Sequence, residues 1–291
     1  MPTATPPAGG RRRPFALAAA AVAVMALGVG AFVALAGGGS NGGDVAEPFS
    51  LMAAAERTVE ARSVEFDLTV SASDLAEVSV SGAVDNQTDV VSVTTDLSSL
   101  LALGDTPMPL GDGEMTVLLD AANGVVYLDA SMLGGFLPDG AAWVSIDLGA
   151  LAEESGQSIE DLQDQFTFDP SEIAESLLDS DQAVEIGTET IDGVEVKRYE
   201  VTVDVAAAIA ALPQADIDEA LDGVDVPDID LPEAFSYDVW VTADNDLRRV
   251  AFDTEIAGQT IAMQLDMTTS DQAPGLELPT DAFDLTGLLG F

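Results

Sequence analysis

The side chains able to do chemistry in this sequence are almost all carboxylates. Fifty-two Asp and Glu stand against nine Lys and Arg, a formal charge of -43, and there is neither His nor Cys. Without imidazole or thiol there is no Ser-His-Asp or Cys-His nucleophile, no thiolate or imidazole metal site and no disulfide. Paired carboxylates for acid-base catalysis and oxygen ligands for calcium are what remains. One acidic loop carries Asp222, Asp225, Asp228, Asp230 and Glu233. It lacks the spacing and glycine of an EF-hand loop, so solvation of a loop is the simpler reading. Among so many acids no pair stands out. The expectation is a protein that is not an enzyme, with no cofactor and no metal. A polyanion would be repelled by the field of the whole chain, which excludes nucleic acid as a partner. Two basic pairs, Lys197-Arg198 and Arg248-Arg249, are expected to form ion pairs across neighbouring strands, with contact to an anionic head group as the alternative.

The residues that could bind something are apolar. Phe66, Leu68, Val117, Leu119, Leu128, Val239, Phe252, Ile256, Met263, Leu265 and Met267 share the apolar parity of their segments, and Leu162, Leu177 and Leu178 lie in helical patterns that could close over them. Alternating apolar residues line the core of any half-buried strand. They equally form the wall of a dry cavity, and Met263 and Met267 suit a pliable one. Trp143 and Trp240 fit a cavity mouth, a membrane interface or ordinary surface packing.

Those residues need a sheet to hold them. Period-two alternation marks Val64 to Val70, then segments near 77–84, 90–97, 114–120, 125–129 and 143–148, with Asp85-Asn86 and Asn123-Gly124 as turns. Strands resume at 183–191 and 194–203 around Asp192-Gly193, and at 235–242, 247–256 and 260–268. The expectation is an α+β protein with about eleven antiparallel strands. A helix at 50–62 precedes them, and helices are inserted after the sixth and eighth strands. A sheet of that size curls or closes, and its apolar face becomes a trough partly covered by helices.

Ahead of this domain the chain changes character. Residues 1–14 include Arg11, Arg12 and Arg13, and Phe15 to Ala36 is an uncharged run of 22 residues, about 33 Å as a helix and enough to span a bilayer. Positive-inside orientation puts residues 1–14 in the cytoplasm and the acidic domain outside. Ala34-Leu35-Ala36 is also a signal-peptidase type sequence, so the run is either a retained transmembrane helix or a signal peptide cut after Ala36. Residues 37–48 read as a flexible linker, 49–269 as the folded domain and 270–291 as an extended tail laid on the surface.

The order of elements, with Gly124-Val125-Val126-Tyr127-Leu128, Trp143-Val144-Ser145-Ile146-Asp147, Ile191 to Tyr199 and Tyr237-Asp238-Val239-Trp240-Val241, resembles the actinobacterial LppX/LprG-type lipoproteins, whose fold is related to the LolA and LolB carriers. The resemblance covers roughly 49–269. It implies a half-open antiparallel barrel with helices on its concave side and a cavity for acyl chains. Leu35-Ala36-Gly37-Gly38 departs from the lipoprotein signal, because glycine stands where the lipid-accepting Cys would be. The functional expectation is an extracytoplasmic lipid- or amphiphile-binding protein that carries or presents its ligand at the cell envelope. Its partners would be the ligand, the membrane through residues 15–36 and an envelope protein. The alternatives are a membrane-anchored interaction or sensor ectodomain with a filled core, and a carboxylate-based hydrolase.

Overall fold

The computed structural model describes residues 48–72, 77–96, 113–131, 137–155, 159, 183–204, 234–256 and 259–286. Twelve strands are formed: β1 (Ser63–Ala72), β2 (Val78–Asp85), β3 (Val90–Asp96), β4 (Glu114–Asp120), β5 (Val125–Asp129), β6 (Trp143–Asp147), β7 (Ala183–Ile191), β8 (Val194–Asp204), β9 (Ala234–Thr242), β10 (Leu247–Ile256), β11 (Gln259–Ser270) and β12 (Ala282–Asp284). They make one curved sheet in the order β12-β6-β5-β4-β3-β2-β1-β11-β10-β9-β8-β7. The edge strands β12 and β7 do not pair with each other, so the sheet stays open. Eleven of the strands are those expected, and the twelfth corrects the reading of the tail. Ala282, Phe283 and Asp284 pair parallel with Trp143, Val144 and Ser145 of β6, which makes the sheet mixed. Only three residues long, β12 is too short to carry an alternation signal. The following Leu285 N–H and Thr286 hydroxyl hold it in place on the Ser145 carbonyl and the Asp147 amide.

Two α-helices stand among the described residues. In α1 (Leu51–Glu60) the Ser50 hydroxyl accepts the Ala53 N–H, and Leu51, Ala54, Ala55 and Thr58 are buried on one side. The helix stops at Glu60 rather than Arg62, because Asn86 in the β2–β3 turn takes the carbonyls of Ala61 and Arg62 at 2.9 Å each. In α2 (Leu148–Ser155) the Asp147 carboxylate receives the Gly149 and Ala150 N–H groups, so the chain leaves β6 one residue earlier than its alternation suggests. The regions expected to be helical beyond Ser158 and at 205–221, the acidic loop 222–233 and the run 15–36 lie outside the described residues. No helix among the described residues is long and apolar enough to cross a membrane.

Four of the short connections lie at one end of the sheet. The β2–β3, β4–β5, β7–β8 and β9–β10 connections span 86–89, 121–124, 192–193 and 243–246. Asp192 and Gly193 both take positive φ, 50° and 82°, as a two-residue hairpin turn requires. Both helices pack across this same end. Leu51, Ala54, Ala55, Leu148 and Ala152 join Val64, Val84, Val91, Leu119, Val126, Val241 and Leu247 in one hydrophobic core. That end of the trough is sealed.

Candidate functional site

Strand register decides which side chains share a face. Across the sheet, Tyr199, Val239, Val250, Leu265, Leu68 and Val80 are successive Cα partners and so stand on one face. A second row on that face runs Met267, Phe66, Gly82, Val93, Val117, Leu128 and Val144. A third includes Phe252, Met263 and Val70. The ten strand-borne candidates with described side chains therefore fall on a single apolar face. Ile256 pairs with Gln259 at the end of that face, and nothing further is described of its side chain. Leu162, Leu177 and Leu178 lie outside the described residues.

The candidates divide mainly across the sheet, by strand. Phe66, Leu119, Val239, Leu265 and Met267 are at most 2% exposed. Leu68, Val117 and Leu128, with Val80, Val93 and Tyr237, are only partly buried and pack against that core. Phe252 is likewise half-buried, and Met263 is buried. The first group is fixed core. The second is the part of the apolar face that stays partly exposed.

At the flank of the trough, between α1 and the β7–β8 edge, a recess of about 440 Å³ is lined by Phe49, Leu51, Met52, Glu185, Lys197 and Tyr199, among others. The Tyr199 hydroxyl donates to the Phe49 carbonyl at 2.7 Å, and burial raises its pKa. Lys197 pairs with Glu185 at 3.1 Å, which raises the lysine's pKa, and its ammonium lies 5.6 Å from the centre of the Phe49 ring. Alternation alone did not single out this recess, because it is built from two sheet-edge strands and the residues that lead into α1.

A wider groove, about 730 Å³, is lined by residues of both parities. Thr69, Glu200, Ser236, Asp238, Asp253 and Gln264 line it together with Arg198 and Trp240, and so do the candidates Phe252 and Met263. Its charges are largely spent within the sheet. Arg198 grips Asp238 through two bonds of 2.8 and 2.6 Å and lies over the Trp240 ring, and the Trp240 indole N–H donates to Glu189. Trp240 is thus packed on the polar face, 9% exposed, away from the trough, and Trp143 stands half-buried on the same side as it.

The basic pairs do form ion pairs. Lys197, Arg198 and Arg249 reach carboxylates on adjacent strands, Arg249 through 2.6 and 3.0 Å bonds to Asp266. Arg248 departs from that expectation. The register shift between Leu247 and Arg249 turns it toward Asp192 in the β7–β8 turn, at 3.0 Å. Among the described residues, no group of three or more acids is placed to hold a metal ion.

No family model matches the chain, and no curated protein matches it. Its fold is similar to that of solved structures. LprF from Mycobacterium bovis aligns over 81% of this chain and all of its own, at 15% identity and a TM-score of 0.43. The Mycobacterium tuberculosis lipoprotein LppX aligns over 78% of this chain and 98% of its own, at 14% identity and a TM-score of 0.42. A LolA superfamily protein from Nitrosomonas europaea aligns over 79% and 96%, at 12% identity and a TM-score of 0.24. These are the groups that the strand motifs resemble.

Proposed function

We propose that this chain is an extracytoplasmic, non-enzymatic protein that binds a lipid or another amphiphile in its trough and carries or presents it at the cell envelope. The observation that carries this reading is the half-buried apolar set Leu68, Val80, Val93, Val117 and Leu128 on β1 to β5, which packs against the core and leaves that part of the apolar face partly open. Each methylene that leaves water for such a surface contributes about 0.8 kcal/mol, so a long acyl chain is held by dry area alone, without a polar signature. The mechanism is passive. Acyl chains enter the trough, and release follows contact with an acceptor whose surface solvates them better. Carboxylate catalysis is not needed.

The uncharged run Phe15 to Ala36 then delivers the domain to the outer side of the membrane, as an anchor with residues 1–14 in the cytoplasm or as a signal peptide cut after Ala36. If the anchor is retained, the 12-residue linker 37–48 has a typical reach of roughly 20 Å. Local presentation near the membrane fits that reach better than transport across a wide compartment.

The rival is a filled-core module that recognises an envelope protein, and the fully buried Phe66, Leu119, Val239, Leu265 and Met267 favour it. Native mass spectrometry and solvent extraction of the exported protein separate the two. A bound amphiphile near one per chain supports the proposal. A bare mass that also fails to take up added fatty acid or phospholipid makes the filled-core module the better reading.

A further inference from the structure

Strand register sends basic side chains to the polar face with one exception. Arg198 is the register partner of Trp240, and Arg249 that of Trp240 and Asp266, all away from the trough. Lys197 is instead the partner of Val241, a fully buried core residue. Among the described strand residues it is the basic side chain that register turns toward the apolar side. It lines the flank recess beside Leu51 and the exposed Met52, so a cation and an apolar wall share one opening of about 440 Å³. The recess borders the trough, because Tyr199 and Ala183 in its lining pack against the same core as Tyr237 and Leu68.

Resting on the amphiphile reading above, we propose that this recess seats the acidic head group of the trough ligand, a carboxylate or a phosphate, with Lys197 as its counter-charge. Glu185 is the group that the ligand displaces. The carboxylate of Glu185 is 57% exposed, whereas Lys197 is 22% exposed and held over the Phe49 ring. Glu185 can therefore swing into water while the ammonium stays in place. One anion then replaces another as the partner of Lys197, while Glu185 carries its charge out into water. The pairing also keeps Lys197 protonated across the physiological range. From β8 to β1 there are four strand spacings, about 19 Å, and Val239, Val250 and Leu265 between them are buried, so an alkyl chain from the recess reaches Leu68 only by displacing what covers that row. An ion pair that only protects the exposed β7 edge is the competing account of the same two residues.

The test compares dodecanoate, dodecyl phosphate and dodecanol, three probes with one alkyl chain and different heads, on the full exported protein by calorimetric titration. Lys197→Met keeps the length of the side chain and removes its charge. It should weaken the two acids about ten-fold and leave dodecanol unchanged. Glu185→Gln removes the competing carboxylate and should tighten the acids several-fold. The ratio of dodecanoate to dodecyl phosphate affinity identifies which acid the seat prefers. Equal effects of Lys197→Met on all three probes, no effect on any, or weaker acid binding in Glu185→Gln would each overturn the seat and favour the edge ion pair. Failure of the unmodified protein to bind any of the three would overturn the amphiphile reading itself.

Discussion

The ring of Phe66 fills the space over Gly82 on the adjacent strand. A Cβ at Gly82 would fall 2.8 Å from Phe66 Cε1 and closer still to Cζ and to the Ser92 carbonyl oxygen. The two residues are register partners in the middle of the trough, so the glycine is what lets a large ring lie within the apolar row. Gly82→Ala should cost about 1–3 kcal/mol as an overpacked core does, read by urea denaturation. A change below about 0.5 kcal/mol would mean that the sheet relaxes freely there.

Substitutions to Trp should separate the two halves of the candidate set. At Leu68, which is half-buried, a Trp should lower amphiphile affinity while unfolding stays cooperative. At Leu265, fully buried, the same change should lose about 1–3 kcal/mol or more of stability before binding is affected. Thermal unfolding together with a fluorescent fatty-acid titration reads both. Equal behaviour of the two variants would remove the distinction between core and wall.

The β9–β10 turn clamps α1. Asp246 accepts from Arg57 Nε at 2.8 Å and from Thr269 at 2.9 Å, and Asn245 Oδ1 accepts the Ser50 N–H at 2.8 Å. Arg57 is half exposed, so its ion pair contributes little. Asp246→Ala should cost about 1–2 kcal/mol, mostly through the lost hydrogen bonds. Hydrogen exchange of the α1 amides should quicken while that of the central strands β1 and β11 stays unchanged.

The flank recess should make stability fall at alkaline pH. The Glu185 hydrogen bond raises the Lys197 pKa above 10.5, and burial raises that of Tyr199 above 10.0. A folded-state pKa above the unfolded value gives stability that is fully present below the unfolded pKa and is lost as pH rises through the folded one. Stability should therefore be level with respect to these two groups up to about pH 9–10 and decline above it. A Lys197→Met, Tyr199→Phe double variant should decline less steeply. Parallel curves for the variant and the parent, from urea denaturation between pH 8 and 11.5, would count against this assignment.

Much of the fold was legible because a half-buried strand records its inner face every second residue. Val64, Phe66 and Leu68, or Met263, Leu265 and Met267, identify their own face without reference to any neighbour. The turns Asn123-Gly124 and Asp192-Gly193 were equally readable, since Gly124, Asp192 and Gly193 take the positive φ that those residue types tolerate. The parallel strand β12 was not. Three residues hold no period, and a parallel partner far away in sequence leaves no local mark.

The sequence by itself determined which face of each strand is apolar, where the chain reverses, and that no imidazole or thiol chemistry is possible. The tertiary structure alone decided which stretch of that face becomes core and which becomes wall. Burial depends on what packs above a residue, and among the described residues α1 and α2 pack over the end where the β2–β3, β4–β5, β7–β8 and β9–β10 turns lie. It also decided that Trp240 is sheltered on the polar face by Arg198 and Glu189, and that Lys197 meets Phe49 and Tyr199 at the flank of the trough. Such meetings join residues about 50 to 150 positions apart, and only the pairing of distant strands and the docking of the segment before α1 bring them within reach of one another.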